Sequence, residues 1–491
     1  MNKSTKNKSN SGGLWLFLLQ SILSALFVIL TAVLDILPGK ILFLIILLLL
    51  LLDAGTFFSQ RNKSTRKVGK AFSILVLIPL LIGCVYLGKT WTALNRMTGP
   101  NEPESNSHRI SVIVLAEDPA KSLEDAKEYR FGIQQTTDRS NTDRVVDLIQ
   151  QDVSVVLNTV EFGSLSAQTQ ALFERQIGAM IINEAYRELI EESQVDFESR
   201  TRVLKTFDLD NGPSDSGNNS DGAEKITEDP FVVFLSGIDT YGQVSLKSRS
   251  DVNILAAVNP KTKQILLLTT PRDYYVELAR HEGAMDKLTH AGLYGVDVSM
   301  ETLETLYGIT VDDYVRVNFS GFEKIIDALG GVDVYSAKAF SAGGYAFKEG
   351  LNHMDGAKAL TCVRERHSFA DGDIQRGKNQ MALIEAVINK AMSPAILTRY
   401  LSLLDSVAES FTTSLSVNEI TELVKMQLED GASWNIVSYN VSGTGSSQPT
   451  YSFGKELLYV MIPDQATVEQ AKNLLEQVRT GETLISPQGN K

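Results

Sequence analysis

The chain has 491 residues, room for two or three domains, and its charge is divided unevenly. Up to Gly99 there are eleven Lys or Arg and two Asp, so the 46 basic and 59 acidic residues of the whole chain leave 35 against 57 beyond it, and +9 is followed by −22. An acidic remainder excludes broad nucleic-acid binding; two cysteines, Cys84 and Cys362, exclude a disulfide framework or Cys-based zinc site, and five scattered histidines show no metal-ligand spacing.

Residues 1–13 are a basic, polar tail expected to be cytoplasmic. Within 14–87, three apolar segments, Leu14–Leu34, Ile41–Phe58 and Ala71–Leu87, are each about long enough to cross a hydrocarbon core as a helix. Asp53 is placed close enough to the end of the second to reach an interface. Lys3, Lys6 and Lys8 precede the first span, and Arg61, Lys63, Arg66, Lys67 and Lys70 fill the connection between the second and third. Positive charge stays inside, so the expectation is a three-pass cell-membrane protein with its N-terminus cytoplasmic and everything after Leu87 extracellular. Gly83–Thr90 matches GxxxxGK[ST], but it straddles the end of a membrane helix, without the strand and soluble helix that a phosphate loop needs.

Residues 88–107 read as a linker. The segment 108–207 is expected to be a small α/β accessory domain: a strand at SVIVLAE, and helical periodicity over Leu123–Ile133, Asn141–Gln151 and Gln168–Glu192. It carries no catalytic constellation. Residues 208–228, rich in Gly, Ser, Asn and Asp, are a second linker.

Residues 229–491 form the third region. Strands are expected at Phe231–Leu235, Val252–Val258 and Ile265–Leu268; runs apolar on both faces predict an α/β sheet covered by helices on both sides. Strand Tyr314–Val317, helix Gly321–Leu329 and strand Val332–Tyr335 read as a β-α-β unit, and Asp373–Met392 as a long helix. Asp239, Arg249, Asp251, Arg272 and Asp273 stand at the ends of these apolar runs, where a buried charge needs a counter-charge, a metal or a ligand. Arg364 and Arg366, two apart, would point the same way in an extended segment, while Asp373, Arg376 and Gln380 share one helix face. Five arginines beside acidic residues describe either an ion-pair network or a magnesium-diphosphate site.

The ordered motifs GIDTYG, SRSD, PRD, VNFSGFEKIIDALGGVDV, LNHMDGAKAL, RERHS and DGDIQRGKNQ resemble the LytR-CpsA-Psr family over about Asp229–Lys390. With three membrane helices and an accessory domain, the chain resembles the CpsA-type capsule proteins of streptococci within that family. The resemblance implies an enzyme that moves a glycopolymer, here capsular polysaccharide, from undecaprenyl diphosphate to peptidoglycan. It implies Asp239 and Asp251 as carboxylates for Mg²⁺, with Mn²⁺ as an alternative ion, and Asp239, Asp251 and Arg272 as catalytic residues. Arg249, Arg272, Arg364, Arg366 and Arg376, supported by Asp373 and Gln380, would bind the diphosphate. Val315, Val317, Phe319, Phe322, Ile325, Ile326 and Leu329 are candidates for the wall of a prenyl pocket, although a Leu/Phe/Ile face at helical spacing is more often plain core. Asn379 departs from an arginine, and Cys362 from an aromatic, found in many members. Implied partners are the lipid-linked polysaccharide, peptidoglycan, the bilayer and other capsule-assembly proteins. Two rival readings stand beside the transferase: a membrane-bound sensor of capsule synthesis without turnover, and a lipid-diphosphate hydrolase.

Overall fold

The computed structural model describes residues 8–35, 37–62, 64–98, 108–135, 138–194, 196–209, 226–238, 248–366, 368–369, 372–393 and 411–485. Three helices open the chain, α1 (Lys8–Leu34), α2 (Gly39–Arg61) and α3 (Arg66–Thr98), and all three are long and apolar enough to cross a membrane. They turn side chains such as Phe43, Leu50 and Ile82 outward, which only a hydrocarbon surrounding accommodates. Polar residues join the helices instead: Gln20 Nε2 donates to Asp53 Oδ1 at 2.8 Å, and Gln60 Nε2 to Ser73 Oγ at 2.7 Å. Asp53 therefore does not reach out to an interface as expected; an apolar surrounding makes an inter-helix partner the cheaper arrangement. The GxxxxGK[ST] match lies inside α3 and is helical throughout.

The next unit comprises β1 (His108–Leu115), α4 (Leu123–Ala126), β2 (Arg130–Gln134), α5 (Arg139–Val153), β3 (Asn158–Phe162), α6 (Leu165–Phe173), β4 (Ala179–Asn183), α7 (Arg187–Ser193), α8 (Phe197–Arg200) and β5 (Thr201–Leu209). Its sheet has the order β3-β2-β4-β1-β5, with β1 antiparallel to both neighbours. Two of the expected helices are corrected here. Leu123–Ile133 is helical only to Ala126, and Gln168–Glu192 contains the strand β4. Phe131, Ile133, Met180 and Ile182 are buried in short segments whose spacing imitates a helix but whose length suits a strand covered on both faces.

The last unit is built on a six-stranded sheet of order β16-β11-β6-β7-β8-β17. Its members are β6 (Phe231–Ile238), β7 (Val252–Asn259), β8 (Gln264–Thr269), β11 (Asp313–Asn318), β16 (Phe411–Thr413) and β17 (Asn435–Asn440). Between β8 and β11 come β9 (Tyr275–Glu277), β10 (Met285–Lys287), α9 (Leu288–Tyr294) and α10 (Val296–Tyr307). After β11 follow α11 (Phe319–Ala328), β12 (Val332–Ser336), β13 (Phe340–Ala342), β14 (Tyr345–Phe347), β15 (Gly350–Met354), α12 (Gly356–Arg364) and α13 (Gly372–Ala391). The chain ends with α14 (Val417–Asp430) before β17, then β18 (Gly443–Thr450), β19 (Gly454–Pro463) and α15 (Gln465–Thr480).

Helices cover both faces of the sheet, as expected. On one side Val468, Leu474 and Leu475 of α15 and Leu303 of α10 pack on Phe234, Leu255 and Leu266; on the other, Met381, Ile384 and Ile388 of α13 pack on Ile254 and Leu267. The expected β-α-β unit is only partly present. β11 and α11 are there, but β12 pairs antiparallel with β15 in a separate ribbon rather than returning to the main sheet. Leu293 and Phe453 of this unit are buried together with Ile113, Leu189 and Phe197 of the preceding one, so the two share a core.

Candidate active site

The strands β6 and β11 run parallel, and Gly237 and Ile238 at the carboxyl end of the one and Asn318 at that of the other line a shared crevice, the place where α/β sheets bind ligands. Asp251 enters it just before β7, its backbone N–H held by the Gly237 carbonyl at 2.8 Å. Antiparallel pairing of β7 with β8 brings the segment after β8 alongside, so that Arg272 Nη1 donates to Asp251 Oδ1 at 2.9 Å. The pair is mostly buried, with side chains 16% and 17% exposed. Arg272 Nε also stands 3.7 Å from Asp273, whose other oxygen faces Lys287 Nζ at 3.2 Å.

Burial alone would raise the Asp251 pKa, but Arg272, Arg249 and Arg376 outweigh it and hold the carboxyl below its usual value. Asp251 is thus an ionised group surrounded by guanidinium charge. Gln380 and Asn379 of α13 donate to the carbonyls of Val363 and Cys362, both at 3.4 Å, fastening the end of α12 immediately before Arg364. Arg364 is the last helical residue, not part of an extended segment as expected, and its guanidinium lies 4.4 Å from the centroid of the Phe319 ring. Arg366 is exposed beyond it. Asp239, and the side chain of Asp373, lie outside the described residues.

Three supports escaped the sequence reading. Thr289, at the start of α9, donates its N–H to the Arg272 carbonyl at 2.9 Å and its hydroxyl to Asp251 Oδ1 at 3.3 Å, while its own carbonyl accepts from Ser250 N–H at 3.2 Å. One residue therefore braces both members of the ion pair and the loop before them. Arg316, fully buried on β11, donates through Nη2 to the Ser248 carbonyl at 2.5 Å and hydroxyl at 2.8 Å, setting the base from which Arg249 projects. Lys287 is the third. The only sequence signal for these residues was a cation or hydroxyl inside otherwise apolar segments.

A cavity of about 1060 Å³ opens from this charged mouth and runs between the sheet, α11, α13 and α14. Asp251 and Gln380 lie at its mouth, and the remaining wall is almost wholly apolar. Val315, Val317, Phe319, Phe322, Ile325 and Ile326 line it. Leu329 does not: it is 2% exposed and packs in the core with Val332 and Leu360. Ile384, Val387 and Ile388 of α13 and Ile420, Leu423 and Val424 of α14 line it as well, and were not foreseen.

Among the described residues no three His, Cys, Asp or Glu side chains converge as a metal cluster. Asp251 supplies one ionised carboxylate, which suits an ion such as Mg²⁺ that keeps most of its ligands as water and substrate oxygens.

The family model described as the LytR_cpsA_psr family matches residues 201–476. A polyisoprenyl-teichoic acid–peptidoglycan teichoic acid transferase, TagU, from Oceanobacillus iheyensis is 35% identical over 228 residues, 45% of this chain and 69% of the relative. TagU of Enterococcus faecalis is 32% identical over 257 residues, covering 52% and 81% of the two chains. The crystal structure of Bacillus subtilis TagV aligns with a TM-score of 0.44 at 27% identity, over 52% of this chain and 98% of that one.

Proposed function

We propose, since the chain belongs to the LytR-CpsA-Psr family, that it is a membrane-anchored transferase moving a glycopolymer from a polyprenyl-diphosphate carrier to peptidoglycan. The observation that carries this reading is the junction of an arginine-rich, carboxylate-bearing mouth with a long apolar cavity. That shape fits an amphiphile with a diphosphate head and a hydrocarbon tail. The relatives named as teichoic acid transferases support the reaction class. We assign the carrier as undecaprenyl diphosphate and the glycopolymer as capsular polysaccharide.

Arg272, Arg249 and Arg376 neutralise the diphosphate, and Arg364, at the rim over Phe319, meets its outer oxygens. As the acceptor hydroxyl displaces the lipid phosphate, negative charge grows on the leaving group, and fixed guanidinium groups in a largely water-excluded site stabilise it. Asp251 orients Arg272 and, with its lowered pKa, is a charge partner rather than the base. Asp251 and Asp239 would hold Mg²⁺, which would add a further positive charge against the diphosphate. The orientation is N-terminus inside and α/β units outside. The ion pair of Lys425 with Asp35 in the α1–α2 turn supports it, because that turn then shares a side with the α/β units, away from the basic α2–α3 connection.

The test uses the full chain in nanodiscs with a labelled lipid-diphosphate glycan, Mg²⁺ and peptidoglycan. Label in the wall supports transfer. Free glycan with an undiminished rate when peptidoglycan is omitted makes the protein a hydrolase, and tight binding without turnover makes it a sensor.

A further inference from the structure

The apolar cavity has a wall with two faces. Phe411 and Thr413 of β16, and Ile420, Leu423, Val424 and Leu428 of α14, look into the lumen. The other side of both elements packs against α3, one of the three membrane-length helices. Lys425, on α14, reaches Asp35 in the turn joining α1 to α2, with Nζ 3.1 Å from the carboxylate. Among the described residues, then, one helix and one strand of three residues stand between the lumen and the anchoring bundle.

That partition contains a seam. Among the described residues β16 pairs with the β11 edge, through Val315–Thr413, Arg316–Thr412 and Val317–Phe411, and Thr413 and Ser414 add hydrogen bonds to Tyr314 and Asp313. Thr412 and Thr421, one on each element, are 7% and 4% exposed, and their hydroxyls find no hydrogen-bond partner among the described residues. A buried unsatisfied hydroxyl costs free energy and marks a seam that is not optimised for permanent closure. The far end of α14 is secured as well. Gln427 accepts from Trp434 Nε1 at 2.8 Å, and Asp430 pairs with Lys263 at 2.6 Å, before Gly431 ends the helix in the left-handed region (φ 55°). The helix is thus held at both ends, by Thr413 and Ser414 on β11 ahead of its Ser416–Glu419 capping box and by these C-terminal contacts, and the seam marked by Thr412 and Thr421 is the place left to part.

We propose that α14 and β16 form a lateral gate between the cavity and the bilayer, through which the prenyl tail of a membrane-resident carrier slides past α3 into the lumen. This rests on the reading of the cavity as a prenyl pocket. The physical need is plain: every methylene drawn through water is penalised, so a tail many isoprene units long requires a continuous apolar route. The Lys425–Asp35 contact is an exposed pair of little energy, and serves as a latch that opening must break.

The experiment places Asp35→Cys and Lys425→Cys in the full chain, reconstituted in nanodiscs, and joins them with a short cleavable bis-thiol reagent. The native Cys84 and Cys362 are buried, and the parent protein is the control for their silence. Two carriers of the same glycan are compared: a long prenyl diphosphate residing in the bilayer, and a two- or three-isoprene diphosphate supplied from water. The locked protein is expected to lose about tenfold or more of its transfer from the long carrier while keeping that from the short one, with recovery when the linker is cleaved. The gate is overturned if the pair cannot be joined, if locking leaves long-carrier transfer intact, or if both carriers are lost equally. An unlocked protein that turns over neither carrier would instead overturn the transferase reading itself.

Discussion

Gly292 of α9 faces the Ser248 carbonyl so closely that a β-carbon on it would lie 2.3 Å from that oxygen. The loop carrying Arg249 is therefore pressed against the helix whose first turn braces Asp251 and Arg272. Gly292→Ala must push the Ser248 backbone away, at about 1–3 kcal/mol of overpacking. The expected outcome is a folded protein with a lowered melting temperature and a loss of transfer larger than that shift explains, checked by calorimetry beside a transfer assay.

Arg316 supports the same loop from below. Arg316→Met removes both hydrogen bonds to Ser248 and leaves its half-buried acceptors without this donor, costing about 1–3 kcal/mol. Arg316→Lys keeps a cationic donor on a shorter stem, without the planar fork, and is expected to recover only part of it. Diphosphate affinity, measured by calorimetric titration, should fall in both variants, further in the methionine one.

Arg272→Ala and Asp251→Asn are expected to abolish transfer at normal protein levels, since each removes one half of the buried pair. Asp251→Asn weakens a charge-assisted hydrogen bond worth about 1.5–3 kcal/mol, read as a fall in the unfolding midpoint.

The pH dependence of that difference has a definite sign. Asp251 is shifted below its ordinary 3.8, so its stabilising contribution is present above that value and disappears as pH falls through the folded-state pKa. The stability gap between the parent and Asp251→Asn should be flat from about pH 5 to 8 and close only in stronger acid. A gap that changed between pH 6 and 8 would mean the carboxyl titrates there and is not held by the arginines.

Removal of divalent ions with a chelator is expected to reduce transfer while leaving the melting temperature nearly unchanged, because Asp251 already has Arg272 and Thr289 as partners. Mg²⁺ should restore the rate, and Mn²⁺ in part.

What could be read in the sequence follows from how local the signal is. Asp251 and Arg272 interrupt apolar runs, so their character was visible before their contact was. The anchor was visible because three long apolar segments have few alternatives. Thr289, Lys287 and Arg316 were not, since their meaning depends on a register between segments far apart in the chain. The strands β2 and β4 read as helix in the sequence because four or five buried residues in a row carry too little periodicity to choose. Leu329 was assigned to the cavity wall by its helix spacing, whereas the C-terminal end of α11 turns it into the core.

The core shared by Leu293, Phe453, Leu189 and Phe197 decides where this protein can be cut. The family match begins at residue 201, inside the chain segment that forms β5, an edge strand whose partner is β1. A soluble fragment starting there would leave β5 without its neighbour and expose an oily patch around α9, the helix that braces Asp251 and Arg272. Fragments for crystallisation or inhibitor screening should begin ahead of His108, so that both folded units travel together.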